Sequence, residues 1–311
     1  MTTKTSPFKP DCLSGKTALV TGGGSGICFE ITKQLLLHGV SAVTICGRRE
    51  GFLQKAAESL NALPCRGRCF HITCDVRDSA QCERAVKFAV SKSQDQSSLD
   101  ILVNGAAGNF LATADTLKPK GFKTVMEIDT VGTFQMSHFA HPYLKKTSSS
   151  PSSKSSPTST VINISATLQY GATWWQSHAS AAKAAVDSLT RSLALEWGED
   201  LIRVCGIAPG PIADTPGTTK LAPGMSSDDL QDMVGEGIPL GRMGEAFEIG
   251  MTAVFLCSEA GGYITGDVLV VDGAQWMWKP KMIEREMVQE FSRGIEQKSR
   301  AQAPTTIRSK L

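Results

Sequence analysis

A glycine-rich turn is the clearest chemical signal in this sequence. The segment TGGGSGI (21–27) follows a short β-branched run and precedes a helical pattern. Glycines in that place let the backbone turn tightly and approach a pyrophosphate, while the N-terminus of the next helix offers N–H groups and a positive dipole. Such a turn alone is often only a tight loop, but the strand-turn-helix context favours a dinucleotide site. The candidate residues are Thr21, Gly22, Gly24, Ser25, Gly26 and Ile27.

Two adjacent arginines indicate which dinucleotide is bound. Arg48 and Arg49 follow the second predicted strand, SAVTIC (41–46). A carboxylate there usually binds the ribose 2′-hydroxyl of NAD, whereas an arginine accommodates the 2′-phosphate of NADP, about 20 residues past the glycine-rich turn. The alternative is a pair of solvated loop charges. Their position favours NADP.

These residues need a scaffold, and the sequence predicts one of alternating strands and helices. Apolar strands without polar alternation need both faces covered, as in a parallel sheet built from βαβ units. We therefore predict an α/β fold with a doubly wound parallel sheet, in a single domain over 13–278. The predicted strands are 16–20, 41–46, 69–76, 100–108, 159–165, 202–210 and 268–273, and the predicted helices are 25–39, 50–62, 79–92, 120–145 and 177–198.

Two segments depart from this alternation. Residues 147–160 are nearly all Ser, Thr and Pro, a composition that cannot bury enough apolar surface to order itself. We predict a mobile surface loop there. Residues 279–311 form a polar tail with some helical spacing, whose apolar positions would pack against the body or against a neighbouring subunit.

Composition excludes several classes of protein. The 311 residues carry 32 basic and 30 acidic side chains and are 41% hydrophobic, which suits a large buried core rather than a polybasic nucleic-acid binder. No apolar run approaches the roughly 18 residues of a membrane span, and the N-terminus lacks a signal-peptide pattern. The nine cysteines form no C-x-x-C pair, which indicates a reducing compartment and no metal site.

Further segments resemble the short-chain dehydrogenase/reductase family over about residues 13–275. That resemblance implies a Rossmann-type nicotinamide site and, usually, a homo-oligomer, either a tetramer or a dimer. One departure is Cys28, which stands where the family's glycine-rich turn has its last glycine. The resemblance adds cofactor contacts near the adenine, beneath the cofactor and in the loop that clamps the nicotinamide: Asp75, Val76, Ala106, Pro209, Gly210, Ile212 and Thr215.

The family's usual catalytic tetrad is incomplete here. Its tyrosine protonates a carbonyl oxygen as hydride arrives, and its lysine lowers the pKa of that tyrosine and holds the ribose. Lys183 is present, but the tyrosine position is Ala179. The serine position falls on Ala166, or on Ser165 with a one-residue shift, and Asp129 stands at the asparagine position. Ordinary carbonyl reduction is therefore not expected.

One branch of the family, the peroxisomal 2,4-dienoyl-CoA reductases, shows this pattern. The segments that resemble it are AAGNFL (106–111), FKTVMEIDTVGTF (122–134), ISATL (164–168), AKAAVD (182–187) and APGPI (208–212). The resemblance implies NADPH-dependent reduction of a dienoyl-CoA to a 3-enoyl-CoA, with Asp129 and Lys183 as catalytic residues acting through a shared water. The alternatives are a structural helix carboxylate for Asp129 and cofactor binding alone for Lys183.

An acyl-CoA substrate implies basic and aromatic groups at the mouth of the pocket. By resemblance, Arg77 and Phe110 contact the acyl-CoA, and Lys118, Lys120 and Lys220 pair with its phosphates. Each lysine alone is more often a solvated surface charge. Trp174 and Trp175 either line the acyl pocket or pack in the core.

The last three residues, Ser309, Lys310 and Leu311, form the tripeptide that the peroxisomal import receptor binds. They follow a polar stretch that should be exposed. We therefore expect a peroxisomal protein with that receptor as a partner.

Two other functions stay open. A peroxisomal reductase for a specialised polyketide or fatty-acyl substrate would share these motifs. The missing tyrosine also permits a pseudoenzyme that binds the cofactor without turnover, although the retained Asp129 and Lys183 argue against it.

Overall fold

A computed structural model of the chain describes residues 5–145, 159–221 and 224–302. The strands are β1 (Thr17–Thr21), β2 (Ala42–Gly47), β3 (Arg68–Thr73), β4 (Ile101–Asn104), β5 (Ser159–Ile164), β6 (Ile202–Pro209) and β7 (Val268–Val271). The helices are α1 (Gly26–Leu37), α2 (Glu50–Asn61), α3 (Ser79–Val90), α4 (Pro119–Met126), α5 (Gly132–Leu144), α6 (Ser177–Trp197), α7 (Pro216–Leu221), α8 (Ser227–Gly235), α9 (Ala246–Cys257) and α10 (Arg285–Gln302).

The seven strands form one parallel sheet in the order β3-β2-β1-β4-β5-β6-β7. This confirms the predicted doubly wound α/β fold. The chain order reverses between β1 and β4, and in such sheets ligands bind at the carboxyl ends of the strands beside the reversal. The glycine-rich turn after β1 and the segment after β4 meet at this point.

Both faces of the sheet are buried, as the unbroken apolar strands predict. Ala18 and Val20 of β1 point to the core under α1, α2 and α9, whereas Leu19 points to the opposite core under α3, α5 and α6. Successive side chains of a strand alternate between faces, so each of these strands needs apolar residues at every position. The cysteines at 46, 69, 74, 205 and 257 are buried and unbridged, like small hydrophobic residues.

The structure departs from the predicted helices in several places, and the short helices α7 and α8 were not predicted. Helix α9 has the almost wholly apolar sequence AFEIGMTAVFLC, so it shows no polar face in the sequence and was not predicted. The single helix predicted over 120–145 is instead interrupted by a π-helical turn at Glu127–Val131, between α4 and α5. Single π turns of this kind are often found at functional sites.

The chain divides into two compact units, Met1–Met277 and Trp278–Leu311. The domain boundary after residue 278 stays a prediction. Of the Ser-rich segment, residues 147–158 lie outside the described residues, as do Ser309, Lys310 and Leu311. Among the described residues there is no helix long and apolar enough to cross a membrane and no His, Cys, Asp and Glu cluster suited to a metal ion.

Candidate active site

The turn after β1 can approach a ligand closely only because it lacks side chains. Gly22 and Gly26 have positive φ angles of 70° and 57°. A Cβ on Gly22 would lie 2.9 Å from the Gly105 carbonyl oxygen, and one on Gly23 would lie 2.6 Å from Ile45. The turn therefore forms the bare backbone surface that a pyrophosphate requires at a helix N-terminus. Ser25 is the exposed N-cap of α1, and Gly24 and Ile27 flank it.

Thr21 and Cys28 hold this turn against the segment after β4. The Thr21 hydroxyl oxygen accepts hydrogen bonds from the backbone N–H groups of Gly105 and Ala106, each at 2.9 Å. The buried Cys28 thiol packs on Gly105 so closely that a Cβ there would lie 2.1 Å from its Sγ. The missing family glycine at position 28 is thus compensated by the glycine at 105.

The loop after β6 lies against the same turn. A Cβ on Gly26 would be 3.2 Å from the Pro216 ring, and one on Gly210 would be 2.5 Å from Asp272. Ile212 is buried and pairs through its backbone with Gly244, while the Thr215 hydroxyl donates to the Ile212 carbonyl at 3.1 Å. The predicted nicotinamide loop, which begins at Pro209, therefore borders the predicted pyrophosphate turn.

The carboxyl ends of β2 and β3 carry the predicted adenine and ribose contacts. Arg48 and Arg49 are exposed, and the Arg49 guanidinium lies 4.2 Å over the Phe52 ring. Asp75 accepts hydrogen bonds from Arg77, with Nε 2.9 Å from Oδ1, and this pairing lowers the pKa of the Asp75 carboxyl. Arg77, predicted to contact acyl-CoA, is therefore also the partner of a predicted cofactor residue.

Val76 connects this region to the π-helical turn. Gly132, the first residue of α5, packs so closely on Val76 that a Cβ would lie 2.6 Å from its side chain. The Gln135 amide donates to the Val76 carbonyl at 2.9 Å. These contacts fix the segment after β3 to the helical segment that carries Asp129.

Asp129 and Lys183 form a buried ion pair at the centre of the site. Asp129 lies in the π-helical turn and is 1% exposed, and its Oδ2 is 3.0 Å from Lys183 Nζ on α6. Its Oδ1 accepts a hydrogen bond from the Gly108 N–H at 2.7 Å, and Lys183 also donates to the Ile164 carbonyl at 2.9 Å. A buried carboxylate needs such an ammonium and N–H donors. The structure therefore brings together the two predicted catalytic residues.

Neither candidate for the family serine supplies a hydroxyl to this pair. Ala166 has none, and the Ser165 hydroxyl donates to the buried carboxylate of Asp187. Ala179, one helical turn before Lys183, is buried and offers only a methyl group. The acid-base groups at this centre are thus a carboxylate and an ammonium.

Residues 109–112 and 174–178 meet in two adjoining segments beside this centre. The Ala112 N–H donates to the Trp175 carbonyl at 3.0 Å, and the Asn109 amide donates to Gln176 at 2.6 Å. Phe110 is 40% exposed and stacks on the buried ring of His178, with centroids 4.3 Å apart. Sequence reasoning missed His178, although its place directly before Ala179 was a usable signal.

The remaining predicted substrate residues lie at the surface. Lys118 is the exposed N-cap of α4, Lys120 is exposed in its first turn, and Lys220 lies in α7, with its side chain outside the described residues. Trp174 and Trp175 are 80% and 55% exposed, so core packing, one of the two alternatives for them, is wrong.

The fold is that of the short-chain dehydrogenase/reductase family, and the chain belongs to it. A family model described as enoyl-(acyl carrier protein) reductase matches residues 22–274. A solved structure described as a Pseudomonas aeruginosa RhlG/NADP active-site complex is 31% identical, with a TM-score of 0.76, and covers 86% of this chain and 100% of its own.

Two curated relatives carry one more specific name, peroxisomal 2,4-dienoyl-CoA reductase, (3E)-enoyl-CoA-producing. The one from Arabidopsis thaliana is 48% identical over 98% of this chain and 99% of its own length. The one from Danio rerio is 41% identical over 89% of this chain and 87% of its own. Similarity to proteins of this name extends over nearly the whole chain.

Proposed function

We propose that this chain is an NADPH-dependent 2,4-dienoyl-CoA reductase that forms a 3-enoyl-CoA and serves the peroxisomal β-oxidation of unsaturated fatty acids. The observation that carries the proposal is the buried Asp129–Lys183 ion pair one helical turn from Ala179. An alanine cannot protonate a carbonyl oxygen, whereas a carboxylate and an ammonium can hold a water that protonates carbon. The names of the full-length relatives support the same reaction.

The chemistry demands a proton at carbon and stabilisation of an anion. NADPH, when bound, supplies a hydride to the δ-carbon of the dienoyl thioester. Negative charge then develops on the thioester oxygen as a dienolate, so positive charge or hydrogen-bond donors near that oxygen lower the barrier. Lys183 supplies the charge. Asp129 holds a water that gives its proton to the α-carbon, and the carboxylate exchanges a proton with this water as solvent restores it.

The residues present fit a nicotinamide cofactor. Gly22, Gly23 and Gly26 leave the turn without side chains, since a Cβ there would crowd Gly105, Ile45 or Pro216, and the bare backbone would face the pyrophosphate. The exposed Arg48 and Arg49 would hold the 2′-phosphate of NADP, and the neighbouring carboxylate of Asp75 is already occupied by Arg77. The RhlG/NADP complex supports the choice of NADP over NAD.

The same region offers the groups that an acyl-CoA thioester requires. Exposed basic residues at 77, 118 and 120 would pair with the phosphates, together with Lys220 of α7. Phe110 and the exposed tryptophans at 174 and 175 would lie along the acyl chain. This exposed aromatic surface also suits the alternative of a different acyl substrate in the same organelle.

Location and assembly complete the proposal. The terminal Ser309, Lys310 and Leu311 would be bound by the peroxisomal import receptor, in agreement with the naming of the relatives. We also propose a homo-oligomer, dimer or tetramer, as is usual in this family.

One assay tests the function. Purified protein is mixed with NADPH and 2,4-hexadienoyl-CoA, cofactor absorbance is followed, and the product is identified by mass spectrometry and NMR. We expect a 3-enoyl-CoA and no oxidation with crotonyl-CoA, which lacks the conjugated diene. Binding of NADPH without turnover of any acyl-CoA would favour the pseudoenzyme.

A further inference from the structure

His178 is a buried imidazole whose ring nitrogens have no hydrogen-bond partner among the described residues. It lies in the first turn of α6 and is 0% exposed. Its ring stacks on Phe110, with 4.3 Å between centroids and 28° between planes. Neither Nδ1 nor Nε2 is satisfied within the described part of the chain.

Such an arrangement is unfavourable unless another molecule completes it. Buried polar side-chain atoms almost always have a partner, and each exception in a folded protein calls for an explanation such as a water, a ligand or a catalytic role. Stacking on Phe110 satisfies the faces of the ring but not its edge. A phenylalanine would stack equally well, so the stacking does not explain the nitrogens.

The surroundings of His178 point to the proton-carrying water. Burial lowers the pKa of the imidazole, while the Phe110 backbone and the charge of Asp129 raise it in part. A neutral imidazole has one donor and one acceptor nitrogen on opposite sides of the ring, so a water can bind to either one. With one nitrogen beside the Phe110 backbone, the ring can present the other nitrogen to that water.

Asp129 likewise has an acceptor oxygen without a hydrogen-bond donor among the described residues. Its Oδ1 is bound to the Gly108 N–H, which precedes Phe110 by two residues. Its Oδ2 lies 3.0 Å from Lys183 Nζ, but not in the geometry of a directional hydrogen bond. A lone pair on Oδ2 therefore stays available for a water in the same neighbourhood as the imidazole.

We propose that His178 is a positioning residue that, together with Asp129, holds and orients the water that protonates the α-carbon. The proposal rests on the proposed function. His178 itself neither gains nor loses a proton. The water gives one proton to the α-carbon as the C–H bond forms, and the hydroxide left behind takes a proton from solvent. The imidazole N–H stabilises that hydroxide while it exists.

Two substitutions separate this role from simple packing. His178→Phe keeps the stacking and the burial but removes both nitrogens, whereas His178→Gln restores a donor and an acceptor without the ring. Since a positioned acid-base system contributes about 10²–10⁴-fold, we expect His178→Phe to lower kcat by about 100-fold. The KM for 2,4-hexadienoyl-CoA and the Kd for NADPH should change less than about twofold, and Tm should hold or rise because an unsatisfied polar group is removed. His178→Gln should recover about tenfold of the lost kcat.

A matched control exists on α5, where the exposed His138 stacks on Phe134 with centroids 5.9 Å apart. His138→Phe should leave turnover unchanged.

A His178→Phe enzyme with wild-type kcat, or one that loses Tm and kcat together without rescue by His178→Gln, would overturn the positioning role. If His178→Phe does not fold, a wild-type-like kcat in His178→Asn would do the same. A wild-type protein inactive on dienoyl-CoA rejects the proposed function, and this role with it, whereas an active wild type with a fully active His178→Phe rejects the role alone.

Discussion

Lys183 Nζ lies 3.0 Å from Asp129 Oδ2, and the two side chains are only 10% and 1% exposed. Because both groups are buried, the charge of each side chain is stabilised by the charge of the other. We expect Asp129→Asn to keep the fold and NADPH binding but to lose about 10²–10⁴-fold in kcat, because the amide cannot exchange a proton with the water. Single-turnover NADPH oxidation at saturating dienoyl-CoA measures this directly.

Lys183→Ala should behave differently from Asp129→Asn. It removes the charge that stabilises the dienolate and the group expected to hold the ribose, so both turnover and NADPH affinity should fall. It also leaves a buried carboxylate without its cation, which typically costs about 3–5 kcal/mol of stability. Ala179→Tyr should rescue neither variant, since a phenol aimed at oxygen is the wrong donor for carbon. A near-wild-type single-turnover rate in Asp129→Asn would reduce Asp129 to a structural residue.

Arg48→Ala tests the choice of cofactor. A guanidinium on a phosphate makes charge-assisted hydrogen bonds of about 1.5–3 kcal/mol, so NADPH should bind about 10- to 100-fold more weakly while NADH is unaffected. Calorimetric titration with both cofactors measures this, with the exposed Arg66 mutated to alanine as a control. An equal loss for NADH and NADPH would assign Arg48 a structural part instead.

The Asp75–Arg77 pair makes a prediction about pH. Hydrogen bonding to Arg77 lowers the pKa of Asp75 in the folded protein, so the contribution of the pair to stability is complete above the unfolded value of about 3.9. It is lost as the pH falls through the lowered folded value. Both side chains are partly solvated, so the contribution should be below about 1 kcal/mol. Arg77→Ala should bring the pKa of Asp75 back towards 3.9, as NMR titration of the carboxyl carbon would report; an unmoved pKa contradicts the pairing.

Gly105→Ala should be destabilising because its new Cβ would lie 2.1 Å from Cys28 Sγ. Overpacking of this kind typically costs about 1–3 kcal/mol. Cys28→Gly in the same chain should remove the clash and restore most of that loss. Urea unfolding of the four proteins of this double-mutant cycle gives the coupling energy, and simple additivity would show that the two residues do not press on one another.

Removal of Leu311 tests the targeting proposal. The import receptor binds a free terminal tripeptide, so the shortened protein should stay in the cytosol with unchanged reductase activity. Fluorescence microscopy in cells without an intact copy of the protein measures this, with deletion of residues 147–158 as an internal control that should still be imported. Peroxisomal fluorescence of the shortened protein would contradict import through the terminal tripeptide.

The sequence was sufficient for the fold wherever apolar runs and turn residues agreed. All seven strands were predicted, because a parallel sheet buried on both faces has strands such as β1 and β6 that are almost wholly apolar. Helix α9 was not predicted because a helix that is apolar on all sides shows no 3.6-residue alternation of apolar and polar residues. The π-helical turn was not predicted because nothing in its sequence, EIDTV (127–131), indicates an extra residue per turn.

The site was predictable in its residue types but not in its pairings. Asp129 and Lys183 were named by position, yet their 3.0 Å contact depends on how the π turn and α6 pack. That Cys28 fits against Gly105, or that Arg77 binds Asp75, involves residues brought together only by the fold or by a local turn. His178 was overlooked, despite its place directly before Ala179, because a histidine inside a helix is usually a core residue, and its lack of partners is visible only in the structure.

The strand order also sets when each part of the enzyme forms during synthesis. Strands β1, β2 and β3 are sequence neighbours that pair with one another, so the cradle for the pyrophosphate can form early from local contacts. The ion pair joins segments on either side of β5, and distant contacts form slowly because loop closure must precede them. The turn that would hold the pyrophosphate thus precedes the ion pair in the order of synthesis, and the predicted nicotinamide loop, which begins at Pro209, is completed last.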